Sequence, residues 1–161
     1  MRNRKIYLDT SYLSHLEADD ALEKMADTRS LWDDFMMGFF DVYISSVTLE
    51  ELNDCPEPKL SIILDFLKNI SYFLLEENME SIELTEKYLA FGVLKEKSRD
   101  DLRHISLAVI NECDFIVSWN FKHFVNINVI DKVYAVNKLL GYKEIIIVPP
   151  SMLLKEEDDD D

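Results

Sequence analysis

Short apolar, β-branched runs alternate along this chain with longer stretches whose apolar residues recur at helical spacing. Alternation of this kind predicts βα units in which helices cover a parallel sheet. The predicted strands are residues 5–8, 42–45, 72–75, 115–118 and 145–148. The predicted helices are residues 21–40, 47–53, 59–70, 81–91, 101–111 and 130–140. We therefore expect an α/β protein, a single-domain α/β/α sandwich with a central parallel sheet of four to five strands.

Turn-forming residues and apolar faces refine this prediction. Gly141 is suited to end the last helix, and Pro149 and Pro150 stop the last strand. In the longest predicted helix, one apolar face is formed by Leu31, Phe35, Met36 and Phe39. We assign residues 1–150 to one domain and expect residues 151–161, which end in a run of acids, to form a disordered tail.

Composition narrows the class of protein. The chain has 161 residues and a hydrophobic fraction of 48%, which suit a globular domain. Its two cysteines, Cys55 and Cys113, lack the spacing of a zinc site, so we expect reduced thiols and no disulfide. No apolar run approaches the roughly 20 residues of a membrane span, and the basic N-terminus is not followed by a signal-peptide pattern. We therefore expect no membrane partner and a cytoplasmic location.

The net charge of -15 argues against broad, non-specific binding to nucleic acid. Part of this charge lies in the acidic tail, but the rest of the chain is acidic too. The densest basic segment after the N-terminus contains Lys95, Lys97, Arg99 and Arg103. Because this segment flanks Asp101, an acidic surface remains compatible with a nucleic-acid substrate. A solvated helix end explains the same four residues equally well.

Four segments that lie far apart in the sequence place a carboxylate or an amide next to a predicted element boundary. Asp9 follows the first strand, and Asn120 follows the fourth. Glu50 and Glu51 lie near the start of a helix, and Asp101 begins another. In an α/β fold such positions converge on one crevice at the carboxyl ends of the strands. Oxygen ligands gathered there suit Mg²⁺ or Mn²⁺, which predicts a metal-dependent enzyme acting on phosphate esters.

Each of these positions also has a purely structural explanation. Asp9 could cap the helix that follows it, as Asp commonly does. Glu50 and Glu51 point about 100° apart on a helix, so only one of them can face the crevice. Asp100 is an alternative N-cap for the helix that carries the third acid. His104, one turn further along that helix, is predicted to be a hydrogen-bonding packing residue, not a metal ligand.

These segments resemble the PIN-domain family, particularly the small VapC-like ribonucleases of prokaryotic toxin–antitoxin systems. Residues 8–11, 45–52, 101–108 and 117–124 are similar to the four motifs of the family. The resemblance covers roughly residues 5–148. Alignment with the motifs selects Glu51 over Glu50 and Asp101 over Asp100.

The resemblance implies a divalent-metal-dependent endoribonuclease that hydrolyses phosphodiester bonds of single-stranded or structured RNA, as the toxin of a type II toxin–antitoxin pair. Mg²⁺ or Mn²⁺ would be its cofactor, and a cognate antitoxin and a second copy of the chain would be its protein partners. The implied catalytic set is Asp9, Glu51, Asp101 and Asn120, of which the three acids hold the metal. The residues expected to bind substrate are Ser11, Arg99, Arg103 and Lys122. Tyr12, Trp119 and Phe121 are candidates to stack on bases, although Trp119 is better explained as a core residue.

One departure from the family pattern concerns charge. Many members have Asp where this chain has Asn120, and another acid where it has His123. A weaker second metal position, or reduced activity, would follow. The alternative function is a catalytically weakened PIN-like module that acts by binding protein or RNA. Three retained acids at matching positions argue against that alternative.

Two other classes of protein fit less well. A haloacid-dehalogenase-like phosphatase would use Asp9 as nucleophile and needs a second Asp two residues later, where this chain has Ser11. A phospho-accepting receiver domain needs a Lys just after the last strand, where this chain has Pro149 and Pro150. Neither class explains the segment 101–108.

Overall fold

The computed structural model describes residues 2–155, which form one parallel sheet with helices on both faces. The strands are β1 (Arg4–Leu8), β2 (Phe40–Ser45), β3 (Phe73–Leu75), β4 (Phe115–Val117) and β5 (Ile146–Val148). The helices are α1 (Thr10–Ser14), α2 (Leu22–Met36), α3 (Ser46–Leu52), α4 (Lys59–Leu67), α5 (Met79–Ala90), α6 (Arg99–Ile110) and α7 (Ile127–Leu140). Because parallel strands need crossover connections, the helices cover the two faces of the sheet. The predicted α/β/α fold class is confirmed.

Strand order places β1 at the centre of the sheet. The order is β3-β2-β1-β4-β5, and every neighbouring pair is parallel. Ile6 of β1 lies opposite Val42 of β2, and Tyr7 lies opposite Ile116 of β4. Ile6, Tyr7 and Leu8 are fully buried. Burial of an aliphatic side chain such as Ile6 or Leu8 contributes about 1.5–3 kcal/mol to stability. The apolar run that predicted this strand is therefore also what stabilises it at the centre of the sheet.

Alternation of side chains along the strands divides the interior into two cores. Ile6 and Leu8 point into the first core, which is closed by α1, α2 and α4. Tyr7 and Ile116 point into the second core, which is closed by α5, α6 and α7. Successive strand residues face opposite sides of a sheet, so one strand supplies both cores.

The observed elements follow the predicted order, with corrections at their boundaries. The helix predicted for 21–40 is too long, because α2 ends at Met36 and Gly38 adopts a positive φ of 79°. The prediction that Met36 and Phe39 share the buried face of this helix is wrong, since they are 54% and 46% exposed. The short helix α1 was not predicted. Its five residues are too few to show a helical period.

The end of the domain follows the predicted turn residues. Gly141 ends α7 in the left-handed conformation, with φ 80°, and β5 ends just before Pro149. A 3₁₀ turn, Pro150–Met152, follows, and Leu153 packs partly buried against the first core. The predicted disorder of the acidic tail concerns residues that lie mostly outside the described range. No helix within residues 2–155 has the length and apolarity to cross a bilayer.

Candidate active site

The site lies where the chain connections on either side of β1 diverge. After β1 the chain crosses to β2 on one side, whereas β4 lies on the other side of β1. A crevice opens at such a topological switch point, outside the carboxyl ends of the two strands. Asp9 directly follows β1, and Ser118 directly follows β4. The backbone N–H of Asp9 donates to the carbonyl oxygen of Val117 at 3.5 Å, which ties the two strand ends together.

Asp9 is a buried carboxylate, 2% exposed, at the floor of this crevice. Its Oδ1 accepts the backbone N–H of Tyr12 at 2.9 Å, so Asp9 does cap α1. The hydroxyls of Ser11 and Ser118 donate to the same carboxylate, at 2.8 Å and 2.6 Å. Burial raises the pKa of Asp9, while these hydrogen bonds and the proximity of His104 oppose the shift. Asp9 therefore caps α1 and also presents a firmly held carboxylate to the crevice.

Glu51 faces the crevice, and Glu50 does not. Oε1 of Glu51 accepts from the hydroxyl of Thr10 at 3.0 Å and is also hydrogen-bonded to Nε2 of His104. Burial acts against the charged form of Glu51, but the hydrogen bonds from His104 and Thr10 and the charge of Arg103 outweigh it and hold the pKa below its usual value. Glu50 is exposed and forms an ion pair with Arg103 at 3.2 Å. The rotation of α3 therefore turns Glu51, and not Glu50, toward the crevice. The adjacent positions of the two glutamates did not by themselves settle this.

A buried hydrogen-bond network fixes the far side of Glu51. His104 is 2% exposed, and its Nδ1 lies 2.6 Å from the hydroxyl oxygen of Tyr7. That oxygen in turn lies 2.7 Å from Oγ of Ser45. In the neutral ring, Nε2 donates to Glu51, and Nδ1 accepts from Tyr7. His104 is thus the hydrogen-bonding packing residue that was predicted, and its packing role orients a crevice carboxylate.

Asp101 enters the crevice from the first turn of α6. Its Oδ2 accepts from Nδ1 of His123 at 2.7 Å. Burial raises the pKa of Asp101, the contact with His123 opposes this, and the negative charge of Glu51 adds to it. Asp100, the alternative at this position, is not the N-cap, because α6 begins at Arg99 and follows Ser98.

Asn120 organises the turn that carries His123. Its Oδ1 accepts the backbone N–H groups of Lys122 at 3.1 Å and His123 at 2.9 Å. Its own backbone N–H donates to Oγ of Ser118 at 2.9 Å. The amide oxygen expected to complete the catalytic set is therefore engaged by its own loop and acts on the crevice by placing His123.

The residues expected to bind substrate occupy three different environments. Ser11 lies in the crevice, where its hydroxyl oxygen accepts the backbone N–H of Trp119 at 2.9 Å. Arg99 contacts the carboxylates of Glu86 and Glu96, and Arg103 contacts those of Glu50, Glu77 and Asp100. Lys122 is exposed beside His123. The two arginines are thus neutralised by acids, whereas Ser11 and Lys122 remain directed at the crevice and its rim.

Of the aromatic residues considered for base stacking, one is accessible. Phe121 is 47% exposed, beside Asn120 at the crevice. Tyr12 is fully buried and donates its hydroxyl to the carbonyl oxygen of Thr28 at 2.9 Å. Trp119 is 8% exposed, and its indole N–H donates to Oγ1 of Thr28 at 2.7 Å. Tyr12 therefore belongs to the first core, and the expectation that it stacks on bases is wrong. Trp119 is buried, as expected for a core residue.

The donor set of the crevice suits a hard cation by its chemistry. Within residues 2–155, Asp9 contacts hydroxyl and N–H groups, and Glu51 and Asp101 each contact a histidine, but none of the three forms an ion pair with Lys or Arg. The charge of Arg103 acts on Glu51 without direct contact. In this conformation the described residues contain no group of three or more Asp, Glu, His or Cys side chains arranged to hold a metal ion. The histidines engage one oxygen of each of two carboxylates, Oε1 of Glu51 and Oδ2 of Asp101.

Two residues of the site were not singled out by the sequence. Ser118 bonds Asp9, and Tyr7 bonds His104. The position of Ser118 after β4 matches that of Asp9 after β1, and this is the one signal that could have revealed it. The contact of Tyr7 depends on the angle at which α6 presents His104 to the sheet, which residue types do not specify.

Two solved structures resemble this fold. The crystal structure of Mycobacterium tuberculosis VapC20, described as a Sarcin-Ricin loop cleaving toxin, matches with a TM-score of 0.57 and 15% sequence identity, over 74% of this chain and 92% of that chain. VapBC2 from Rickettsia felis, solved bound to a DNA fragment from its promoter, matches with a TM-score of 0.54 and 17% identity, over 89% of this chain and 97% of that chain. This chain has a VapC-like PIN-domain fold. No protein-family model matches the sequence, and no curated protein matches it either.

At identities this low, the VapC-like fold is what the comparisons establish. The motif resemblance had predicted this fold, and the prediction is confirmed. In this chain Asp9 directly follows β1, Glu51 lies on α3, and Asp101 lies in the first turn of α6.

Proposed function

We propose that this protein is a divalent-metal-dependent endoribonuclease and the toxin of a type II toxin–antitoxin pair. One observation carries the proposal: acids from three remote segments lie around the crevice of a VapC-like fold, and within residues 2–155 none of them forms an ion pair with Lys or Arg. Buried carboxylates with raised pKa values are unfavourable in isolation and are a common mark of a functional site.

In the proposed site, Asp9, Glu51 and Asp101 would hold Mg²⁺ or Mn²⁺. Such an ion lowers the pKa of a bound water and neutralises the charge that develops on phosphoryl oxygens during hydrolysis. The described residues supply the positioning. Ser11 and Ser118 fix the carboxylate of Asp9. The other two acids are hydrogen-bonded to histidines, Glu51 to His104 and Asp101 to His123.

The experiment is a cleavage assay on a mixed panel of labelled single-stranded RNAs with Mn²⁺, Mg²⁺ or EDTA. Wild type is compared with Asp101→Asn and Asn120→Asp. Metal-dependent cutting that is lost in Asp101→Asn supports the nuclease and the site together. No cutting by wild type with any metal, over the whole panel, would contradict the proposal.

A second candidate function is a binding module with weakened turnover. The observation that favours it is the engagement of Asn120 by backbone N–H groups, which takes its amide oxygen away from the crevice. Activity that appears only in Asn120→Asp would support this candidate. An antitoxin partner, a homodimer and a cytoplasmic location belong to the toxin proposal and are likewise open to test.

A further inference from the structure

A surface cavity of about 370 Å³ adjoins the acidic crevice and is lined by lysines. The four lysines come from three separate parts of the chain. Lys95 and Lys97 lie in the loop before α6, Lys122 lies after β4, and Lys132 lies on α7. His123 forms part of the same wall. The basic segment recognised in the sequence therefore contributes only half of this positive cluster.

The charge of this cavity runs against that of the whole protein. The chain has 17 Lys and Arg residues against 32 Asp and Glu residues, yet no carboxylate lines the cavity in the described part of the structure. Within residues 2–155 none of the four lysines forms an ion pair. Lys132 makes one contact, from Nζ to the carbonyl oxygen of Gly92 at 3.3 Å. Like charges gathered in a concave wall reinforce one another and attract anions.

The neighbouring arginines provide an internal contrast. Arg99 and Arg103 are closer in sequence to the catalytic candidate Asp101, but acids contact both of them. The positive charge available to a ligand is thus that of the cavity lysines and not that of the two arginines. A Lys ammonium is a compact point charge and a common partner for phosphate oxygens.

The position of the cavity indicates which anion it would take. His123 is shared between the two sites, since it lines the cavity and its Nδ1 lies 2.7 Å from Oδ2 of Asp101. A ligand in the cavity therefore lies directly beside the proposed point of cleavage. The volume falls at the lower end of the range of about 300–1,000 Å³ for ligand cavities, which suits a single nucleotide unit.

We propose that the cavity lined by Lys95, Lys97, Lys122 and Lys132 binds the backbone phosphate of an RNA strand next to the scissile bond. This inference rests on the proposed nuclease function and names the surface that would hold its substrate. An acidic segment of a protein partner would meet the same charges, but the position of the cavity beside the proposed point of cleavage favours an RNA strand.

The test measures binding of a fluorescein-labelled, mixed-sequence single-stranded RNA by anisotropy in EDTA, so that binding is separated from cleavage. Lys122→Gln/Lys132→Gln is compared with Lys68→Gln/Lys138→Gln, which removes the same charge from exposed lysines outside the cavity. A third variant, Lys122→Arg/Lys132→Arg, keeps the charge. All these side chains are exposed, so the variants are expected to fold.

Salt dependence gives the expected magnitude. For single strands, log K changes with log salt by about −0.7 per neutralised phosphate, so four contacts predict an affinity loss of about 50-fold for a fourfold rise in salt, and two contacts about sevenfold. We expect the shallower dependence in the Lys122→Gln/Lys132→Gln variant alone. The other two variants should behave like wild type.

The outcomes separate this inference from the nuclease proposal. If the cavity variant binds RNA like the control variant, the inference is overturned, and cleavage by wild type would still support the nuclease. If only the cavity variant loses binding while wild type cuts no RNA, the cavity is supported and the nuclease is not. Poly-L-glutamate is the competitor for a protein partner. If it displaces RNA as well as polyuridylate of equal charge does, the assignment to RNA is overturned.

Discussion

Removal of one buried oxygen tests whether the network behind Glu51 holds this carboxylate in the crevice. The hydroxyl oxygen of Tyr7 is fully buried, 2.6 Å from Nδ1 of His104 and 2.7 Å from Oγ of Ser45. Tyr7→Phe keeps the ring in the second core and removes only these two hydrogen bonds. A buried polar group that loses its partner costs about 1–3 kcal/mol of the free energy of unfolding. For a chain of this size, each kcal/mol corresponds to about 2–4 °C in the melting temperature.

A matched control is available in the same core. Tyr88 is also fully buried, and its hydroxyl donates to Oδ1 of Asn137, away from the crevice. Tyr88→Phe should therefore lower the free energy of unfolding by a similar amount. Only Tyr7→Phe should also slow RNA cleavage, by about tenfold, the lower end of the effect of removing a partner from a group that orients a metal ligand.

The two quantities are measured by urea denaturation and by single-turnover cleavage with Mn²⁺ below the melting range of all variants. Equal losses of cleavage in Tyr7→Phe and Tyr88→Phe would show that stability, not the orientation of Glu51, causes the effect. A Tyr7→Phe variant that matches wild type in both assays would refute the network altogether.

Further expectations concern metal binding, pH and helix termination. Mn²⁺ at about 100 times its Kd should add about 2.7 kcal/mol to the free energy of unfolding of wild type and clearly less to Asp9→Asn; equal shifts in calorimetry would rule out Asp9 as a ligand. Burial raises the pKa of Asp101, so the charged form is penalised in the folded state. This penalty is absent below the ordinary carboxyl pKa and develops as pH rises through the raised pKa. In EDTA, Asp101→Asn should therefore melt above wild type at neutral pH and match it near about pH 3, where the carboxyl is protonated in both states; a variant that melts below wild type at neutral pH contradicts this reasoning. Gly141→Ala meets no atom within 4 Å but must adopt φ 80°, so thermal denaturation should show a loss of about 1–2 kcal/mol. No loss would mean that the left-handed conformation is not required there.

Local features of the sequence account for most of the elements. The apolar runs that predict β1 and β4 are strands because both faces of each strand are buried in this sheet. Gly141 ends α7 where it was expected to, since it adopts φ 80° without the steric cost of a Cβ. The helix predicted over 21–40 was too long because a similar glycine, Gly38, was not taken as its end. Gly38 was the available stop signal, and the apolar residues beyond it belong to a turn and to β2.

The ion-pair partners of charged side chains could not be predicted from the local sequence. The sequence places Arg99 and Arg103 beside Asp101, which favoured them as substrate-binding residues. In the folded chain, Arg103 contacts Glu77, 26 positions away, and Glu50, 53 positions away. Such partners are set by the packing of α3 and α6, so the availability of a charged side chain cannot be judged from its own segment.

The sequence by itself determined the two periodicities, the order of strands and helices, and the placement of acids at element boundaries, because each depends on neighbours a few residues apart. The motif resemblance selected Glu51 over Glu50, but only the tertiary structure decided which partners hold the crevice acids, His104 for Glu51 and His123 for Asp101. It also brought Lys132 of α7 to the three lysines of the loops. These outcomes depend on the order of strands in the sheet and on the rotation of helices packed upon it. Both are fixed by burial of the two cores, whose members lie far apart along the chain.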